Sequence, residues 1–110
     1  MNQAIASFEP VYSAYGHDPD LADLVAVFAK EIPDRVACFR PYLDGPDWEG
    51  LGRVTHQLKG AAGSYGFDQL TPILQRFESL VKQRASLDAL EVAFHEVVAV
   101  CERVRPGGPE

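Results

Sequence analysis

The residues best suited to chemistry in this chain are His56, Lys59, Gly60 and Gly63, in the run Thr55-His56-Gln57-Leu58-Lys59-Gly60-Ala61-Ala62-Gly63-Ser64-Tyr65-Gly66. Wound as an α-helix at ~100° per residue, these four share one face at i, i+3, i+4 and i+7, while Leu51, Val54, Leu58, Ala61, Ala62 and Tyr65 share the other. Packing against other helices explains the apolar face. It does not explain the glycine face, because interior helix glycines cost roughly 1 kcal/mol each relative to Ala. Here they flank an imidazole, and their missing side chains leave bare backbone over which a partner can approach His56. Lys59 supplies a flexible positive charge for an anionic group on the ring. Neutral imidazole is nucleophilic near physiological pH and forms covalent intermediates. The constellation predicts a histidine that accepts a phosphoryl group and passes it on. A lone histidine is more often an ordinary surface residue, and small helix residues more often serve close packing. Helix packing, however, has no use for His and Lys on the glycine face.

The elements that position this face can be read along the chain. Residues 1–17 form an N-terminal arm or short extra helix, with Ile5, Phe8, Val11, Tyr12 and Tyr15 lacking a sustained period and His17 in an exposed loop. Asp18-Pro19 is a cap-plus-proline start. From there Leu21, Leu24, Val25, Phe28, Ile32, Val36, Phe39 and Leu43 repeat at three and four, predicting one helix kinked at Pro33, its last turn blurred by Pro41. Asp44-Gly45-Pro46-Asp47 is a turn in which Asp44 or Asp47 caps the central helix, expected from about Pro46 or Asp47 to Tyr65. Trp48 is expected to pack at the bundle end, and Gly66 to terminate the helix. The third helix starts at Asp68 or at Thr71-Pro72, buries Leu70, Ile73, Leu74, Phe77, Leu80 and Val81, and ends near Arg84. Ser86 caps the fourth, whose stripe is Leu87, Leu90, Ala93 or Phe94, Val97, Val98, Cys101 and Val104. Four amphipathic helices with short turns and no strand alternation predict an all-α, antiparallel up-down four-helix bundle over 18–105, followed by a flexible tail at 106–110.

Composition removes several classes of function. A chain of 110 residues is one domain, small for an enzyme with a deep cleft. A net charge of -6 and a pI near 4.9 argue against nucleic-acid binding. No apolar run approaches the ~20 residues of a membrane span, and the start lacks the features of a signal peptide. Cys38 and Cys101 fit no metal spacing and are expected to be reduced core residues of a cytoplasmic protein. His17, His56 and His95 are single residues on separate segments, without a Glu-x-x-His pair, so no metal site is expected. There is no phosphate-binding Gly-rich loop and no kinase ATP-site motif. The start and the short tail favour a free-standing protein.

The run His56-Gln57-Leu58-Lys59-Gly60-Ala61-Ala62-Gly63-Ser64-Tyr65-Gly66 resembles the signature of the histidine-containing phosphotransfer (HPt) domain, and the order and lengths of the apolar segments extend the likeness from about Asp18 to Arg103. The resemblance implies a four-helix bundle that relays phosphate from a receiver-domain aspartate to another receiver, as a monomeric phosphocarrier without ATP-dependent kinase activity of its own. Its partners would be receiver domains of response regulators or a hybrid sensor histidine kinase. It implies in-line transfer to Nε2 of His56, with Lys59 meeting the phosphate charge and Mg²⁺ supplied by the receiver. The same likeness places Glu78 against the other ring nitrogen, with Gln75 one turn before it. Glu78 read simply as a helix residue is a solvated carboxylate or a partner of Lys82. Arg53, one turn before His56, is expected to dock or steer the partner together with Gly60, Gly63 and Ser64. Two rival readings remain: a helical adaptor that is never phosphorylated, and a metal-binding bundle.

Overall fold

The computed structural model describes residues 9–107. The arm residues Ile5 and Phe8 and the end of the tail lie outside the described residues. Five helices follow in order: α1 (Ala22–Ala37), α2 (Arg40–Asp44), α3 (Trp48–Ser64), α4 (Leu70–Lys82) and α5 (Leu87–Cys101). The four long helices form the all-α up-down bundle, and α2 is a short piece between α1 and α3. Among the described residues, β pairing is limited to one isolated parallel bridge between Val11 and Val104. No helix among them is long and apolar enough to cross a membrane.

The first long segment departs from the expected single kinked helix. α1 runs through Pro33 and stops at Ala37. The reason is Pro41, which has no N–H for the carbonyl four residues back, that of Ala37, and whose ring would clash with it. Helix resumes as α2 with Pro41 in its first turn, where a missing N–H leaves nothing unsatisfied. The expected start at Asp18 also shifts, since regular helix begins at Ala22. Asp18 instead organises the preceding turn: its carboxylate accepts the Asp20 N–H at 2.8 Å, and its carbonyl accepts those of Leu21 and Ala22 at 3.1 and 2.8 Å.

The central helix is built from local signals. The Asp47 carboxylate accepts the Gly50 N–H at 2.9 Å, so Asp47 rather than Asp44 is the cap. At the far end the Gly66 N–H reaches the Gly63 carbonyl and the Phe67 N–H reaches that of Ala62, at 3.1 and 2.8 Å. This paired closure places one residue in left-handed backbone, and Gly66 takes it at φ 81° without steric penalty. α4 ends by the same closure, with Arg84 N–H to Val81 and Ala85 N–H to Leu80, both at 3.0 Å. There the left-handed residue is Arg84 at φ 51°, a conformation costing about 1–2 kcal/mol for a residue with a Cβ. Neither expected start of α4 holds. It begins at Leu70 with no side-chain cap, because the backbone already turns from Phe67, whose carbonyl takes the Leu70 N–H while Asp68 takes that of Thr71. Ser86 caps α5 as expected, accepting the Ala89 N–H at 3.2 Å.

The core runs the length of the bundle. Phe39, Phe77 and Phe94 meet ring to ring, with centroids 5.8, 5.7 and 6.2 Å apart. Phe28 of α1 stacks on Tyr65 at the end of α3 at 4.8 Å. Trp48 is half-buried and packs against the core at the other end of α3. Three expected core residues are instead exposed. Cys38 faces outward because Val36 and Phe39, three apart, take the buried side between them. Leu24 shares the outer side of α1 with the exposed Val27, while Val25 and Phe28 take the buried side, and Leu87 is the first residue of α5. Val100 is buried in their stead. Cys101 is a core residue, and burial pushes its thiol up to about 12, so it remains a protonated packing group.

The arm is tied down more closely than its sequence predicts. Val11 donates to the Arg103 carbonyl at 2.8 Å and accepts from the Arg105 N–H at 3.0 Å. Ala14 donates to the Gly66 carbonyl at 2.9 Å, and the buried Ser13 hydroxyl donates to that of Tyr65. The arm thus joins the end of α3 to the end of α5 and clamps the Gly66 turn.

Candidate functional site

The buried side of α3 fixes what its open side presents. Gly50, Leu51, Thr55, Leu58 and Ala62 are buried. Thr55 satisfies its hydroxyl inside the helix, donating to the Leu51 carbonyl at 2.6 Å. That anchor was not legible in the sequence, where Thr55 reads as an ordinary polar residue of the motif. With Thr55 and Leu58 pointing inward, His56 must point out, and its side chain is 73 % exposed.

α4 supplies the other half of the site. Glu78 is buried, and its carboxylate divides between two neighbours on α3. Oε2 stands 3.1 Å from Nδ1 of His56, and Oε1 accepts from Nζ of Lys59 at 2.6 Å. Lys59 also donates to Oε1 of Gln75 at 2.7 Å, so Gln75, Glu78, His56 and Lys59 form one network across the α3–α4 seam. The network resolves the alternatives for Glu78, whose contacts go to His56 and Lys59; Lys82 acts on it only through its charge. Burial alone would push the Glu78 carboxyl up. The hydrogen bonds from Lys59 and His56, with the charges of Lys59 and Lys82, outweigh it and hold the group below the usual carboxylate range.

An ionised Glu78 sets the chemistry of the ring. A carboxylate only accepts, so Nδ1 carries the proton and the lone pair of the neutral imidazole resides on Nε2. The carboxylate also holds the plane of the ring. His56 therefore offers one oriented nucleophilic nitrogen on an exposed helix face.

The surrounding surface is empty. A Cβ built on Gly60 or Gly63 would meet nothing within 4 Å, nor would one on Gly52, a turn before His56. Gly50 shows what a packing glycine looks like in the same helix, because its Cβ would fall 2.5 Å from the Tyr42 ring. Ser64 is exposed near the end of the open face and belongs to no part of the network. Arg53 turns away from the imidazole, donating to the Tyr42 hydroxyl at 3.2 Å with its guanidinium 5.8 Å from the centre of that ring. Among the described residues no three His, Cys, Asp or Glu side chains come together as a metal site would require. His95 is exposed on α5, 3.8 Å from Glu91.

Comparisons with known proteins give the family. The family model of the Hpt domain matches residues 23–107. Over 59 residues the chain is 36% identical to the aerobic respiration control sensor protein ArcB of Escherichia coli (strain K12), and equally to ArcB of Shigella flexneri. The matched stretch covers 54% of this chain and 8% of each ArcB, so the likeness concerns a small part of a much longer sensor protein. No solved structure gives a significant match. A family match over most of the chain, on a helical bundle, places the protein: it belongs to the Hpt family, the histidine phosphotransfer domains that work with receiver domains in two-component signalling.

Proposed function

We propose that His56 is the phosphoryl acceptor and that the protein is a carrier between receiver domains. The observation that carries the reading is the contact of Nδ1 with the buried Glu78 carboxylate at 3.1 Å, which leaves Nε2 as the nucleophile on a bare helix face. In the forward step the Nε2 lone pair forms a bond to phosphorus as the bond from phosphorus to the receiver's carboxylate oxygen breaks, its electron pair returning to that carboxylate. Passing phosphate on reverses these events at a second receiver. Phosphoryl transfer asks mainly for positioning and charge neutralisation. Glu78 does the first by fixing the ring. Lys59 does the second once its ammonium turns from Gln75 and Glu78 toward the phosphoryl oxygens. Mg²⁺ comes with the receiver, whose carboxylates suit a hard cation.

Gly60, Gly63 and Ser64 form the floor on which a receiver sits, and Arg53 lies at its edge. The chain acts as a monomeric cytoplasmic phosphocarrier that binds no nucleic acid and has no ATP-dependent kinase activity of its own. Its partners include response-regulator receivers and the receiver of a hybrid sensor kinase, which is consistent with the likeness to a sensor protein. Incubation with phosphorylated receiver domains from the same genome tests this. Transfer of an acid-labile, base-stable label to His56 is expected, and its absence with every receiver would leave a helical adaptor.

A further inference from the structure

The α3–α4 seam continues past His56 into a recess of about 500 Å³ that the proposed chemistry does not use, lined by Trp48, Glu49, Gly52, Val81, Lys82 and Arg84. We propose that Lys82 and Arg84, beside Trp48 and the bare turn at Gly52, form an electrostatic docking subsite for an acidic segment of the receiver domain. The proposal rests on His56 as the phosphoryl acceptor.

Position is the first argument. Gly52 lies one turn before His56 on α3, and Lys82 one turn after Glu78 on α4. A helical turn rises about 5.4 Å, whereas a specific interface covers on the order of 800 Å² of each partner. A receiver seated over His56 therefore reaches the recess. A Cβ at Gly52 would meet nothing within 4 Å, so the approach is open.

Charge is the second. The chain carries a formal charge of -6, and Arg35, Arg40, Lys59 and Arg76 are held in ion pairs with their own acids. Lys82 and Arg84 are exposed and, among the described residues, have no carboxylate within ion-pair distance. Glu49, the acid of the recess, sits in the first turn of α3, where the helix dipole favours it. A receiver that carries an aspartyl phosphate and its Mg²⁺ presents carboxylates around the reacting group. Two exposed cations further along the seam complement that surface, and they steer encounter in a chain that would otherwise repel it.

The backbone of Arg84 is the third. It occupies the left-handed position closing α4, the position that Gly66 occupies at the end of α3. Glycine would serve the fold better there. Among the described residues, no hydrogen bond, ion pair or ring contact uses the Arg84 side chain. The closure needs the left-handed backbone but not an arginine on it, and a residue kept against that preference points to a use outside the fold.

Arg84→Gly separates the two interests. The variant should melt higher than the parent. Phosphoramidate, a small phosphoryl donor that requires no docking, should label His56 equally in both. Transfer from the phosphorylated receiver domain that labels the parent fastest should slow on the order of tenfold at low salt, converging with the parent at high salt as a steering effect must. Arg84→Lys, which keeps the charge, should retain most of the parental rate. A more stable Arg84→Gly protein that takes phosphate from the receiver at the parental rate, with an unchanged salt dependence, would overturn the docking subsite and leave His56 untouched. Failure of phosphoramidate and receiver alike to label the parent would overturn the acceptor assignment, and the subsite with it.

Discussion

The two sides of α3 obey opposite rules. On the inner side every position is filled: Leu51, Thr55 and Ala62 are fully buried and Leu58 is 2 % exposed. Even the glycine on that side, Gly50, is a packing device against Tyr42. On the outer side Gly52, Gly60 and Gly63 leave space that nothing in the fold occupies, and His56 stands in the middle of it. A helix of uniform purpose would place alanine, lysine or glutamate at such positions, since each favours helix over glycine. The inner side is thus organised by volume and the outer side by access. The seam between them, where Lys59 and Glu78 meet, is organised by charge. Substitutions on the two sides should accordingly move different observables.

The largest expected effect is functional. His56→Gln should abolish phosphoryl labelling while leaving helix content and melting temperature close to the parent's, because the exposed ring contributes no core contact. Undiminished labelling of the Gln variant would move the site to His17 or His95. The converse substitution is Leu58→Ala on the inner side. It should lower stability by about 2–5 kcal/mol through lost burial and the cavity left behind. At temperatures where the variant remains folded, phosphoramidate should still label His56. Chemical denaturation and labelling of both variants would test whether the two sides are independent, and a large stability loss in His56→Gln would end the distinction.

Next in size is the seam. Glu78→Gln keeps the shape of the side chain and removes the charge that Lys59 and the ring both use. Receiver-dependent transfer should slow on the order of tenfold, as removal of a ligand's orienting partner does elsewhere, with about 1–2 kcal/mol of stability lost with the charged hydrogen bonds. The acid limb of the stability curve gives a second readout. The folded state holds the Glu78 carboxyl below its ordinary range, so the unfolded chain takes up its proton first as pH falls. The network's contribution is complete above the ordinary carboxylate pKa and is lost as pH drops from there through the depressed value. In Glu78→Gln that part of the acid destabilisation should vanish. An unchanged acid limb would mean that the network does not stabilise the fold.

What the sequence disclosed, and what it withheld, follows from the range of each interaction. Asp47, Gly66 and Ser86 act on backbone within a turn or so of themselves, and each does what its residue type predicts. Pro41 acts at the same range, yet its effect on Ala37 was hidden because the apolar period continues past it and predicts one helix kinked at Pro33. Neither Asp68 nor Thr71 caps α4, since the chain arrives there already turning, a consequence of where Phe67 is buried. Exposure of Leu24, Leu87 and Cys38 depends on which side of each helix its neighbours cover, and periodicity along one helix does not carry that information in full. The Val11–Val104 bridge joins the two ends of the domain and has no local signature at all. For the site, His56, Lys59 and the glycines were legible on one helix, whereas Glu78 on α4 was reached only through the family resemblance. Arg84 shows the limit of reading residue types, because its left-handed backbone is marked by no glycine or asparagine.

The smallest effect on stability, and the sharpest on the comparison, belongs to Gly60→Gln. Interior helix glycine is locally unfavourable, so the longer side chain should stabilise the helix by about half a kcal/mol. No compensating clash is expected inside the protein, because the added Cβ has nothing within 4 Å. The same side chain would stand over the turn next to His56, where a receiver must come within bonding distance of Nε2. The variant should therefore melt at or slightly above the parent temperature, accept phosphate from phosphoramidate nearly as well, and exchange it with receivers poorly. If Gly60 served packing as Gly50 does, overpacking would instead cost about 1–3 kcal/mol and leave receiver transfer unimpaired in the folded fraction. A thermal melt and a transfer time course on this variant distinguish the outcomes, since the two accounts predict opposite signs in both.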